Sequence, residues 1–289
     1  MIENGAALGA RPEGENSFGR LNPVEHRSSV ATSEKRETGR SEAPLFEAPR
    51  DSIAERLADR FATLHPVLAG GIALAIGYAA LVVATVAAGI LLIEVVLTGW
   101  VLNWDNNVID WLAEHRTPLR NDVSSVGSYL AETGTVLAIV AVVALILCLH
   151  RRFVATLFFV TAIAVEAATY LATTLVTERP RPQVVRLENL DPGASYPSGH
   201  TAAGVVIYVG IAVLVLAYVK NRAVRIAAVV IAVIAPAAVA LARMYRGMHH
   251  PIDVFIGGLI GFGCLCVGLL VARVFNTVAQ GRRREEAKS

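Results

Sequence analysis

The sequence predicts an all-α integral membrane bundle of about six helices, and three observations carry that expectation. Of 289 residues, 54% are hydrophobic and only 17% charged, with a mean hydropathy of +0.53, more apolar than a soluble domain of this size. Several uninterrupted apolar runs reach the roughly 20 residues that a helix needs to cross a bilayer. Arginine and lysine recur in alternate gaps between those runs, as expected of a chain that crosses repeatedly.

Residues 1–62 are rich in Glu, Arg, Ser and Pro and contain no apolar signal-peptide core, so they are expected to form a disordered tail. Its end differs: Ile53, Leu57, Phe61 and Leu64 recur at helical spacing, with Arg56 and Arg60 on the polar side. That pattern predicts a short helix on the membrane surface between Asp51 and His65. A transmembrane domain is expected over 63–276, with spans at roughly 67–98, 128–149, 153–176, 200–219, 223–242 and 252–275, followed by a basic tail over 277–289. The first span is long for one crossing; the strictly apolar part of the second begins only near Thr135. Glycines at 70, 71, 77 and 89 and at 257, 258, 261 and 263 suit close helix packing.

Arg50, Arg56 and Arg60, then Arg151 and Arg152, then Lys220, Arg222 and Arg225, and finally Arg273 and Arg282 to Arg284 all fall on one side of a six-span chain. This puts both termini in the cytoplasm and the loops 99–127, 177–199 and 243–251 outside, with a bacterial-type plasma membrane as the default location. Two of those outer loops are nonetheless basic, which suggests that they bind an anion. A net charge of +2 and the lack of basic–aromatic interleaving argue against nucleic acid. Cys148, Cys264 and Cys266 lack the spacing and histidines of a metal or redox site. Trp100, Trp104 and Trp111 read as an interfacial belt. Glu166, deep in the third span, is a functional suspect or a neutral packing residue; Glu94 lies near the outer end of the first.

The outer loops carry the chemistry. In Pro197-Ser198-Gly199-His200, Ser198 is placed to cap the fourth span. The helix N-terminus there offers unpaired N–H groups to a phosphate, Gly199 permits close approach, and His200 faces the same anion. Further along, Pro251 opens the sixth span, and His249 and Asp253 are four residues apart. A carboxylate bonded to one ring nitrogen would leave the other free as a nucleophile. Arg243, six residues before His249, carries donors that match phosphoryl oxygens. Taken singly, each cluster is equally consistent with an ordinary helix cap or an interfacial His–Asp pair beside snorkelling arginines.

In combination, the blocks resemble the type 2 phosphatidic acid phosphatase (PAP2) superfamily, which includes membrane lipid phosphatases and shares a core with vanadium haloperoxidases. The family pattern is Lys-x6-Arg-Pro, Pro-Ser-Gly-His and Ser-Arg-x5-His-x3-Asp. Here the second block is complete; the third is matched at Arg243, His249 and Asp253, with Ala242 in place of Ser; the first is matched at Arg181-Pro182, with Thr174 in place of Lys. The resemblance implies a PAP2/haloperoxidase-like core and a phosphohistidine mechanism. His249 would attack phosphorus, oriented by Asp253, and His200 would protonate the leaving group. Arg181, Arg243, Ser198 and Gly199 would hold the phosphoryl oxygens. No metal or cofactor is implied, because guanidiniums and backbone donors supply the electrostatics.

Thr174 offers only a hydroxyl where the family has a cation, and Arg179, five residues on, is expected to supply the charge or else to pair with Glu178. Arg246 could reach the phosphate or anchor at the interface, and His250 is expected to be a bystander. The implied function is a lipid phosphate phosphatase acting at the extracytoplasmic face on an isoprenoid diphosphate, phosphatidic acid or phosphatidylglycerol phosphate. A phosphotransferase, or a binding protein impaired by the Thr174 departure, are the alternatives.

Overall fold

The computed structural model describes residues 42–188 and 194–288, and the expected disorder of residues 1–41 lies outside them. Nine α-helices are found among the described residues: α1 (Ile53–Arg60), α2 (Pro66–Leu91), α3 (Gly99–Glu114), α4 (Pro118–Tyr129), α5 (Thr133–Leu149), α6 (Phe153–Thr174), α7 (Gly199–Tyr218), α8 (Arg222–Tyr245) and α9 (Pro251–Glu286). Proline opens α2, α4 and α9 at the first turn, where its missing N–H costs no helical bond. Side chains of Ser52, Thr117, Ser198 and Asn221 cap α1, α4, α7 and α8.

Five helices are long and apolar enough to span a bilayer: α2 with its π-helical extension to Val96, α6, α7, α8 and α9. The expected second span is built differently. α4 and α5 form a pair bent by 44° that passes the length and composition test only when taken together. Polar residues such as Arg120, Asn121 and Asp122 in α4 dilute the apolar pattern, which is why the sequence marks only the α5 half. The count of five, or six with the bent pair, fits a multi-pass membrane protein of about six spans.

Burial separates inner from outer helices. About half of the span residues of α6, α7 and α9 are buried within the protein, against 17% for α2 and α8, so the latter two present most of their apolar surface to lipid. α9 packs against α1, α2, α6 and α7. Its close approach to α7 depends on Gly257, where an added Cβ would lie 2.5 Å from the Ser198 carbonyl oxygen. Such small residues let helix backbones meet in lipid, where hydrophobicity alone does not drive helices together.

Two sequence expectations change here. The basic tail proposed for 277–289 is helical as far as Glu286, because α9 runs on without interruption. Part of the segment expected to be disordered packs onto the bundle end formed by the start of α6, the end of α7 and residues 273–276 of α9. Phe46 is fully buried, against Phe158 and Tyr218. Glu42 accepts hydrogen bonds from the Val154 amide and the Tyr218 hydroxyl, while Arg273 and Asn276 donate to the carbonyls of Leu45 and Phe46. The composition of residues 42–62 is polar on average, but a single aromatic anchor with satisfied backbone groups suffices to order them. The helix expected over 51–65 is confined to Ile53–Arg60. Phe46→Ala is expected to destabilise the fold by about 3 kcal/mol, read as a lowered melting temperature in detergent.

Candidate active site

The site lies at the opposite end of the bundle, where residues 175–188 and 194–198, the starts of α7 and α9 and the end of α8 meet. Between α8 and α9, Gly247 adopts a left-handed conformation (φ +71°), and a Cβ there would meet Val184 at 2.7 Å. This turn folds the chain back so that the Met248 amide donates to the Arg243 carbonyl, and the Met248 carbonyl accepts from Arg181 at 2.7 Å. His249 follows and is 3% exposed.

The His249 ring is oriented by a backbone group. Its Nδ1 lies 2.6 Å from the carbonyl oxygen of Ser195. A carbonyl can only accept, so Nδ1 carries the proton and Nε2 holds the lone pair. Burial pushes the imidazole down to about 3; Asp253 opposes this, while Arg243 and Arg181 reinforce it. His249 is therefore neutral near pH 7, as a nucleophile must be.

The direct Asp253–His249 hydrogen bond expected from their spacing is replaced by an indirect one. Asp253 is the third residue of α9, and its carboxylate turns back to accept from the His250 amide at 2.9 Å, forming a capping box with His250. It also accepts from the Ser195 hydroxyl at 2.6 Å and from Arg179. Because His249 precedes the helix, the i,i+4 geometry that would join it to Asp253 does not arise. His250, expected to be a bystander, is the cap residue, with Nδ1 3.2 Å from Asp253.

Arg179 does not face a phosphate and does not pair with Glu178. It is 3% exposed and bridges Asp253 to Asp105, a residue of α3. Thr174 does not replace the family lysine: its hydroxyl donates to the carbonyls of Tyr170 and Leu171 in its own helix. Ser198 caps α7 through the Thr201 amide, and its hydroxyl also pairs with that of Thr201 at 2.9 Å. A Cβ at Gly199 would lie 2.9 Å from the Tyr170 ring, so packing demands glycine there.

Arg243 and Arg246 converge. Arg243 is 1% exposed, and it donates to the Ser128 hydroxyl at 2.7 Å and to the Glu188 carboxylate at 2.6 Å. Its buried Nε has no hydrogen-bond partner among the described residues. Arg246 meets the other Glu188 oxygen at 2.6 Å, which also accepts from Ser128. Further bonds to Ser124, Asn121 and Leu187 hold Arg246 inside the protein rather than at its surface. A cavity of about 350 Å³ opens beside this cluster, bordered by His200, Glu188, Arg246, Ser128, Tyr129 and Glu132. Ser128, Glu188 and Ser195 had no signal in the sequence, since isolated serines and glutamates in loops are commonplace.

Most basic residues of the loops expected to lie outside are thus engaged within the chain. Arg116 donates to the Val185 and Tyr245 carbonyls, Arg120 to the His115 carbonyl, Arg179 to two buried carboxylates, and Arg243 and Arg246 to the partly exposed Glu188. Among the described residues, no three His, Cys, Asp or Glu side chains converge as a metal site requires. Glu166 is buried within α6, eight residues before Thr174 and so about 12 Å along the helix from its end.

Arg181, Ser198, His200, Arg243 and His249 follow one another along the chain, with Arg181 and Arg243 close to both histidines, and a family model for the PAP2 superfamily matches residues 155–277. The fold is that of a transmembrane PAP2 type phosphatidylglycerolphosphate phosphatase from Bacillus subtilis, at 20% identity and a TM-score of 0.55, covering 70% of this chain and 96% of that one. LpxE from Aquifex aeolicus matches at 22% identity and a TM-score of 0.46, covering 57% and 94%. No curated protein sequence matches at a significant level.

The Glu188 cluster predicts a pH dependence of stability. Burial alone would push this carboxyl up, but Arg243 foremost, with hydrogen bonds from Ser128 and both arginines, holds it down at about 2 from its ordinary 4.5. A depressed folded-state value means a stabilising contribution that is complete above 4.5 and lost as pH falls toward 2. Melting curves in detergent across that window should show wild type losing more stability than Glu188→Gln.

Proposed function

We propose that this protein is a lipid phosphate phosphatase that works through a phosphohistidine on His249. The observation that carries this reading is the His249 ring: neutral, buried, with Nδ1–H fixed on a carbonyl and Nε2 left as the nucleophilic atom, near the buried Arg243 and the half-buried Arg181. The match of residues 155–277 to the PAP2 superfamily supports a phosphatase at the coarse level, and the apolar spans support a substrate that enters from a bilayer.

In this reading, Nε2 of His249 attacks phosphorus, the bond to the leaving oxygen breaks, and His200 donates the proton that the leaving oxygen takes up. Water then cleaves the P–N bond, releasing inorganic phosphate and the free imidazole. Arg243, whose Nε has no partner among the described residues, binds an equatorial oxygen together with Arg181 and the first amides of α7. Arg246, and not Arg179, supplies the second charge beside Arg243. It thereby compensates for the threonine at 174. The phosphate takes the position that the Glu188 carboxylate now holds, since the same donors suit either anion. Asp253 acts on His249 through Ser195 and does not touch the substrate.

The candidate substrates remain phosphatidic acid, phosphatidylglycerol phosphate and an isoprenoid diphosphate, presented from the extracytoplasmic leaflet of a plasma membrane with both termini cytoplasmic. Retention of both histidines favours hydrolysis over mere binding. Phosphate release from those three lipids in detergent, with a chelator present, is the test. Release by wild type that is abolished in His249→Ala supports the mechanism, and chelator-sensitive release, or activity surviving in His249→Ala, overturns it. Arg246→Ala is expected to lower kcat/KM by about 10²-fold on the best of the three lipids.

A further inference from the structure

We propose that Asp105 is a positioning residue for the His249 nucleophile, acting through Arg179, Asp253 and Ser195. Asp105 lies on α3, the helix that carries the three exposed tryptophans, and faces inward with Ile109 one turn further on; both are essentially inaccessible to solvent. One of its carboxylate oxygens accepts the Ile252 amide at 3.1 Å, and the other accepts from Arg179. Arg179 in turn binds Asp253. Ser195 is then fixed on three sides: its amide donates to the Arg179 carbonyl at 2.7 Å, its hydroxyl donates to Asp253, and its carbonyl receives Nδ1–H of His249.

The charge count points to more than a structural tie. A buried guanidinium needs one carboxylate to balance it, yet Arg179 holds two, both withdrawn from water. The excess negative charge is eased by the first amides of α9. When Nε2 bonds to phosphorus, positive charge develops on the ring, and its Nδ1–H points at a carbonyl backed by this cluster. Asp105 keeps Arg179 from neutralising Asp253 completely, and it keeps the Ser195 carbonyl in line with the ring.

This role presupposes His249 as the nucleophile, and the experiment separates the two ideas. Full-length Asp105→Asn, Ser195→Ala and His249→Ala would be compared with wild type in detergent, on the fastest of the three lipids named above. The measurements are kcat, KM, melting temperature and the single-turnover rate of phosphoenzyme formation. Ser195→Ala cuts the same relay without stranding a buried charge, so it decides the matter if Asp105→Asn does not fold. The expected result is a fall of about 10- to 100-fold in kcat and in phosphoenzyme formation, with KM little changed. A residue with only a structural role would lower the folded fraction and leave the kcat of the folded enzyme intact. Wild-type kcat per folded molecule in the variants, or a loss expressed through KM, overturns the role of Asp105. Activity surviving in His249→Ala overturns the nucleophile assignment itself.

Discussion

At the site end of the bundle, Arg179 joins two carboxylates that belong to different helices, Asp105 of α3 and Asp253 of α9, and all three are removed from water. Charges so placed are costly unless paired and hydrogen-bonded on every side. That demand fixes where the loop carrying Arg179 runs, how α3 lies across the start of α9, and which way Asp253 turns. Ser195, tied to both Arg179 and Asp253, inherits its position from this bridge, and through its carbonyl it sets the His249 ring.

A second ion cluster, in which Glu188 meets Arg243 and Arg246, obeys the same rule with a different purpose. Arg179 is saturated by fixed partners on two helices. Glu188 instead comes from a loop and is partly accessible, beside a cavity that His200 also borders. A carboxylate held by the end of α8 and Ser128 of α4 marks a position where negative charge is stabilised, and it balances two buried cations. One cluster is thus closed off from water, and the other borders a cavity.

Much of the fold was legible in the sequence because lipid imposes a simple constraint: backbone groups must be satisfied internally, so apolar runs of sufficient length become helices. Spans one and three to six were located to within a few residues except at the far end of α9. The α4–α5 bend was not, because Arg120, Asn121 and Asp122 break the apolar pattern. Phe46 gave no signal, since one anchoring aromatic does not alter the composition of a polar tail.

By itself the sequence determined the helical membrane architecture and the ordered blocks around Arg181, Ser198, His200, Arg243 and His249, because both follow from local patterns of residue type and spacing. Only the tertiary structure decided which partner each charge takes. Arg179 rather than Thr174 could be expected to replace the lysine from proximity along the chain, yet Arg179 binds Asp105, 74 residues away, and Arg246 stands beside Arg243 instead. The hydrogen bond from His249 to the Ser195 carbonyl spans 54 residues and involves a backbone atom that every residue possesses. Pairings of this kind are settled by desolvation and close packing across the folded chain, and spacing in the sequence does not encode them.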